Sequence, residues 1–124
     1  MKISEYFKSA KGRGVIATAD GKGKVDVAVY AAPHVIDDTT VAFIMADKLT
    51  HANLQSNPHA AYLFTEEVEK FKGVRLFLTK TKEETDSKKL DEIRRKQYPD
   101  LKGKEFLVYF HVDKVLPLIG AGGE

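Results

Sequence analysis

The stretch FIMADKLTHANL, residues 43–54, joins two patterns that together decide the fold. Its first half continues a run from Thr40 that is apolar at successive positions, which indicates a strand buried on both faces. Its second half is polar and predicts a helix capped by Thr50, running to about Ser56 and stopped by Pro58. A helix N-terminus presents unpaired N–H groups and a partial positive charge, so this junction suits a phosphate.

Two side chains at this junction are candidates for binding an anion. Lys48 adds a full positive charge and Thr50 adds a hydroxyl donor. On this segment alone, the simpler interpretation is favoured, in which Thr50 only caps the helix and Lys48 is a solvated surface lysine.

Short strands separated by turns occupy most of the chain on either side of this stretch. The spacing of Ile3, Tyr6, Phe7 and Ala10 predicts a short N-terminal helix, and a second helix is predicted at 86–97, with Asp86 or Ser87 as its cap. The predicted strands are 14–19, 25–32, 40–46, 59–65, 73–81 or 73–85, 105–112 and, as a seventh if it forms, 115–119. We therefore predict a mainly β protein, a closed or partly open barrel of six or seven strands with two or three short helices.

Composition excludes several classes of chemistry. The 124 residues include no cysteine, which removes disulfide scaffolds, thiolate zinc sites, iron–sulfur clusters and cysteine nucleophiles. Lys and Arg total 20 against 18 Asp and Glu, a net charge of +2. That balance is too even for a chain built around nucleic acid.

Length and hydropathy predict one domain at 1–119 and a flexible, glycine-rich tail at 120–124. The first residues lack the apolar core of a secretory signal, and no apolar run approaches the ~20 residues of a membrane span. We therefore expect a cytoplasmic protein that does not contact a membrane.

The charged side chains form no recognisable metal or nucleic-acid motif. The four histidines include no pair at helical ligand spacing, so no metal site is predicted. The segment 83–96 interleaves acids with Lys88, Lys89, Arg94, Arg95 and Lys96, which favours a solvated helix face. A small nucleic-acid-binding barrel that uses this helix is the less favoured alternative.

The order of elements resembles the pyridoxamine 5'-phosphate oxidase-like family, whose members are FMN-binding split β-barrels. The resemblance covers about residues 4–115 and is strongest between 25 and 64, where THANL at 50–54 and Asn57-Pro58 fall in the family's register. It implies a Greek-key split barrel and a homodimer with the flavin at its interface, most like the small flavin-binding members.

The resemblance also implies positions for the cofactor contacts. They are Val27, Ala28, Val29 and Tyr30 against the isoalloxazine ring, Phe43, Ile44 and Met45 along the flavin and ribityl chain, and Lys48, Leu49 and Thr50 at the phosphate. Asn53 matches a recurrent asparagine of the family, for which we expect a structural role.

Two departures from the family pattern affect the expected function. Leu49 stands where the family often has a second basic residue, which predicts weaker phosphate binding. The chain has no tryptophan and lacks the Trp- and Arg-bearing C-terminal segment of the pyridoxamine phosphate oxidases themselves. Oxidation of vitamin B6 is therefore not expected.

The sequence thus predicts an FMN-binding redox protein of unknown substrate, with a small molecule or a protein as redox partner and the flavin supplying the chemistry. No residue is identified as catalytic, and the nearest candidates are Tyr30, His34 and His51. One alternative is a non-enzymatic electron-transfer or ligand-binding barrel. Another is a haem-binding split barrel with His34, His51 or His59 as axial ligand.

Overall fold

The computed structural model describes residues 2–97 and 105–120, with the backbone alone at Gln97. The elements are α1 (Ile3–Ser9), β1 (Gly12–Ala19), β2 (Val25–Tyr30), β3 (His34–Asp37), β4 (Thr40–Ala46), α2 (Leu49–Ser56), β5 (His59–Glu66), β6 (Gly73–Glu84), α3 (Lys88–Gln97) and β7 (Glu105–Pro117). Within the described ranges, every helix is too short or too polar to cross a membrane.

The seven strands form one antiparallel sheet in the order β2-β1-β5-β6-β7-β4-β3, which places β2 and β3 at its edges. Alternate side chains of the strands face the main core, which α1 and α2 also enter. The core includes Ile16, Phe43, Met45, Leu54, Tyr62, Phe64, Leu76, Leu78, Val108 and Phe110. This arrangement confirms the prediction of a mainly β split barrel, but its seven strands include β3 and not the separate seventh strand predicted at 115–119.

A second, smaller core lies on the outer face of β4 and β7, beneath α3. Leu90 and Ile93 of α3 pack there against Leu107 and Tyr109. The predicted inward positions of α3 are thereby confirmed. The predicted end of this helix at 98–100 and the predicted flexible residues 121–124 lie outside the described residues.

Two strand predictions need correction. Residues 34–37 form a strand that the sequence did not indicate, because only Val35 and Ile36 are apolar between Pro33 and the following turn. Residues 105–117 form one continuous strand rather than two, because an irregularity at Asp113 shifts its register with β6 without ending the pairing.

Candidate functional site

Tyr30 brings together the three segments that the resemblance assigns to the cofactor. Its ring packs edge-on against Phe43 of β4, with centroids 5.9 Å apart and an interplanar angle of 89°. Burial raises the pKa of the Tyr30 hydroxyl, and a hydrogen bond with the Thr50 side chain of α2 opposes that rise. The end of β2, the middle of β4 and the start of α2 therefore meet at one side chain.

The C-terminal end of β2 is held in place by Tyr62 from the barrel interior. The Tyr62 hydroxyl lies 3.1 Å from the carbonyl oxygen of Tyr30 and 2.9 Å from that of Ala31, and donates to them. Tyr62 reaches these carbonyls by passing against Gly14, where a Cβ would lie 2.0 Å from the hydroxyl oxygen. Only glycine fits there, so the geometry beside Tyr30 is fixed by close packing.

The N-terminus of α2 is open. Lys48 is the N-cap residue, has an extended backbone and makes no capping bond through its side chain, and the first turn contains no acid. The first intrahelical bond runs from Ala52 N–H to the Lys48 carbonyl at 2.9 Å. The N–H groups of Leu49, Thr50 and His51 thus precede the helical bonding pattern and have no acceptor within the helix.

The prediction that Thr50 caps α2 is therefore wrong. Thr50 lies at the second helical position and is buried, with its side chain directed to Tyr30 rather than to the helix N–H groups. Lys48 and Leu49 are exposed. The helix start consequently combines an exposed lysine with three N–H groups that have no acceptor within the helix, two of them on the buried residues Thr50 and His51.

A polar network adjoins the first turn of α2. The buried His51 places its Nε2 atom 3.0 Å from Oε2 and 3.1 Å from Oε1 of Glu83 on β6. Lys80 Nζ lies 2.6 Å from Glu83 Oε1, and the Gln55 side-chain amide donates to the same oxygen at 3.0 Å. Burial alone raises the pKa of Glu83, but these three hydrogen bonds outweigh it and lower the pKa to about 2.

The outer face of β2 is apolar and exposed. Val27 and Val29 are 68% and 80% exposed, whereas Ala28 and Tyr30 turn toward the barrel. A concavity of about 330 Å³ lies beside Val27. We call the outward side chains of this region the valine face, consisting of Val15, Val25, Val27, Val29, Leu63 and Phe77.

The other predicted contacts occupy different environments. Phe43 and Met45 are buried in the barrel core, and Ile44 points the other way, against the cluster beneath α3. Asn53 is buried and donates to the Thr18 hydroxyl at 3.1 Å, which ties α2 to β1. Direct cofactor contacts of the three β4 residues stay predictions.

The remaining histidines lie apart from this site. His34, on β3, is half-buried. Its pKa is lowered mainly by burial and to a smaller extent by the charge of Lys89. His111 pairs with Asp113 at 2.8 Å on β7, and His59 lies at the start of β5. Among the described residues, no group of three or more His, Asp or Glu side chains is arranged to hold a metal ion.

Comparisons by sequence find nothing: no protein-family model and no curated protein matches the chain.

Comparison by structure finds several neighbours. An FMN-binding protein from Syntrophomonas wolfei subsp. wolfei is similar with a TM-score of 0.78 and 20% identity, over 96% of this chain and 85% of that one. A protein of Lactobacillus delbrueckii assigned as a pyridoxamine 5'-phosphate oxidase has a TM-score of 0.69 and 18% identity, over 90% of this chain and 88% of that one. HutZ, the heme storage protein of Vibrio cholerae, has a TM-score of 0.66 and 18% identity, over 92% of this chain and 90% of that one.

These neighbours share one architecture and differ in what their names say they bind. At identities of 18–20%, the structural similarity establishes the fold of this chain but not its ligand. The chain therefore has the split β-barrel fold of the pyridoxamine 5'-phosphate oxidase-like proteins.

Proposed function

We propose that the chain binds FMN, with the phosphate at the N-terminus of α2 and the isoalloxazine ring along β2, and that it acts as a flavin-dependent redox protein. The observation that carries this proposal is the junction at Tyr30, where β2, β4 and an uncapped helix start meet. A neighbour of the same fold is an FMN-binding protein, which supports flavin as the ligand.

The phosphate half of the proposal rests on unpaired donors and one cation. Three successive N–H groups, of Leu49, Thr50 and His51, precede the first intrahelical bond, and Lys48 at the N-cap is exposed. Leu49, at the position of the family's second basic residue, contributes its N–H but no charge. We therefore expect binding that depends strongly on Lys48.

The ring half of the proposal rests on a strand edge. Because β2 ends the sheet among the described residues, one row of its N–H and C=O groups faces away from β1. Those groups match the polar edge of an isoalloxazine, which carries amide-like donors and acceptors. Val27 and Val29 supply apolar contact for the ring.

We also propose that a second copy of the chain covers the valine face, with the flavin at the interface. Exposed valines on three alternate positions of one strand form an apolar patch of the kind that marks an interaction site. We expect Val27→Asp to dissociate the dimer in sedimentation experiments, whereas Val68→Asp, in the β5–β6 loop, leaves it intact. A Val27→Asp protein that remains dimeric contradicts this part of the proposal.

The chain's own residues bind and orient the cofactor. Bound flavin supplies hydride or electron chemistry, and the barrel shields one side of the ring from water. The Tyr30 hydroxyl is held by burial and by Thr50, which suits a positioning role. An enzyme and an electron carrier both fit this arrangement, with a small molecule or a protein as redox partner.

Haem is the second candidate ligand, and the likeness to the heme storage protein HutZ favours it. The buried His51 is poorly placed as an axial ligand, because its Nε2 atom is bonded to Glu83 and its ring stacks on Phe106. Of the three histidines named from the sequence, His34 and His59 remain for that role.

The visible absorption spectrum of the purified protein tests the proposal. We expect a yellow protein whose ligand fluoresces after release by heat, or a colourless protein that becomes yellow on addition of FMN. A red protein with a Soret band would support haem instead. A colourless protein that takes up no added FMN contradicts the proposed function.

A further inference from the structure

The first turn of α2 is tied to the barrel on two sides. Thr50 is tied to Tyr30 of β2, and His51 is tied to Glu83 of β6. These two residues also carry two of the three unpaired N–H groups at the helix start. The direction in which those N–H groups point therefore depends on both ties.

The His51 tie is rigid. The imidazole is 7% exposed and stacks on the Phe106 ring, with centroids 3.8 Å apart and an interplanar angle of 14°. Because a carboxylate only accepts hydrogen bonds, the bond to Glu83 requires the tautomer with the proton on His51 Nε2, and the Gln55 amide, 3.1 Å from that atom, donates to other acceptors. Stacking fixes the plane of the ring, and the hydrogen bond fixes its rotation within that plane.

Glu83 is itself held from two further directions. Lys80, three residues earlier on β6, places Nζ 2.6 Å from Oε1. The Gln55 amide donates both to Oε1 of Glu83 and to the backbone carbonyl of His51, each at 3.0 Å. The carboxylate thus connects one strand to two successive turns of α2.

We propose that Glu83, acting through His51, is a positioning residue that aims the first N–H groups of α2 and so sets the preference of the site for FMN over riboflavin. This inference rests on the proposed function, because it assigns the phosphate to that helix start. Glu83 itself does not contact the cofactor.

The sign of the effect separates positioning from simple electrostatics. A carboxylate near a phosphate site repels the phosphate, so if charge alone mattered, removal of the Glu83 charge would strengthen FMN binding. If Glu83 instead positions the helix, its loss releases His51, and the three N–H groups at the start of α2 are no longer held in one orientation. FMN binding then falls, while riboflavin, which lacks the phosphate, is unaffected.

The test compares Glu83→Gln with Glu84→Gln, a matched change at the next residue, whose carboxylate accepts from the Tyr109 hydroxyl instead. Dissociation constants for FMN and riboflavin give the preference of each variant. Hydrogen exchange of the peptide 47–56 in the flavin-free protein reports on the anchoring of α2. We expect a roughly fivefold loss of FMN preference and faster exchange in Glu83→Gln, and neither change in Glu84→Gln.

His51→Phe provides a second variant, because it keeps a ring against Phe106 and loses the bond to Glu83. We expect it to reproduce the fivefold loss. An unchanged or increased FMN preference in Glu83→Gln overturns the inference, as does unchanged exchange of peptide 47–56. Failure of the unmodified protein to bind FMN instead overturns the proposed function, and the exchange data still decide whether Glu83 anchors α2.

Discussion

The helices α2 and α3 lie on the same barrel and begin in opposite ways. At the start of α3, the Leu90 N–H donates to the Ser87 hydroxyl at 3.0 Å, and Asp91 lies in the first turn. At the start of α2, Lys48 forms no side-chain cap and the first turn holds no acid. A cap and an early acid are the usual means of satisfying a helix N-terminus.

The buried faces of the two helices differ as well. α3 buries Leu90 and Ile93 on an apolar cluster, whereas α2 buries one leucine, Leu54, in the main core and three polar residues, Thr50, His51 and Asn53. α3 is thus completed by its own chain and serves stability. α2 is aimed by polar contacts and left open at its start, which is the condition expected of an anion-binding helix.

The largest effect on stability is expected at the apolar cluster beneath α3. Leu90→Ala removes a fully buried side chain beneath α3 and should lower the free energy of unfolding by about 2–5 kcal/mol, measured by urea denaturation. The relative affinity for FMN and riboflavin should not change. A large change in that ratio would show that α3 and α2 do not have separate roles.

A smaller effect on the free energy of unfolding is expected when acid protonates Glu83, in the polar network beside α2. Glu83 has a folded-state pKa of about 2 against an ordinary value of 4.5, so its stabilisation is full above pH 4.5 and is lost as the pH falls toward 2. Because the carboxyl is partly solvated, we expect about 1–2 kcal/mol of acid-dependent stability.

Glu83→Gln should flatten the dependence of unfolding free energy on pH between about 5 and 2, and Glu67→Gln, at an exposed loop position, should not. Equal pH profiles for the natural protein and Glu83→Gln would show that the network contributes little to stability.

The smallest stability effect compares the two helix starts directly. Ser87→Ala removes the cap of α3 and should cost about 1 kcal/mol of unfolding free energy. Lys48→Ala, at the equivalent position of α2, should change it by less than about 0.5 kcal/mol. Thermal or urea denaturation of both variants provides the measurement, and equal costs would remove the distinction between the helices.

The sequence predicts most of the barrel because its strands alternate or are continuously apolar over six or more residues. It does not predict β3, where two apolar residues give no measurable period, or the continuity of β7 through Asp113. Both features depend on pairing with distant strands, and single-sequence patterns do not report such pairing.

Prediction of the candidate site is limited in the same way. The resemblance points to the start of α2, yet Thr50 is used by Tyr30 and the cap position falls to Lys48. His51 and Glu83 are 32 residues apart, on a helix and a strand, and no local pattern connects them. Tertiary contacts decide which polar residues at the start of α2 bind to other parts of the barrel and which remain free to bind a ligand.

The most direct test of the account is titration of the protein with FMN and with riboflavin, before and after Lys48→Ala. A charge-assisted contact contributes about 1.5–3 kcal/mol, so we expect FMN to weaken at least about tenfold and riboflavin to be unchanged. Lys22→Ala, in the β1–β2 turn, is the matched control and should alter neither ligand. Equal weakening of both flavins, or no weakening of FMN, would contradict the assignment of the phosphate to the open end of α2.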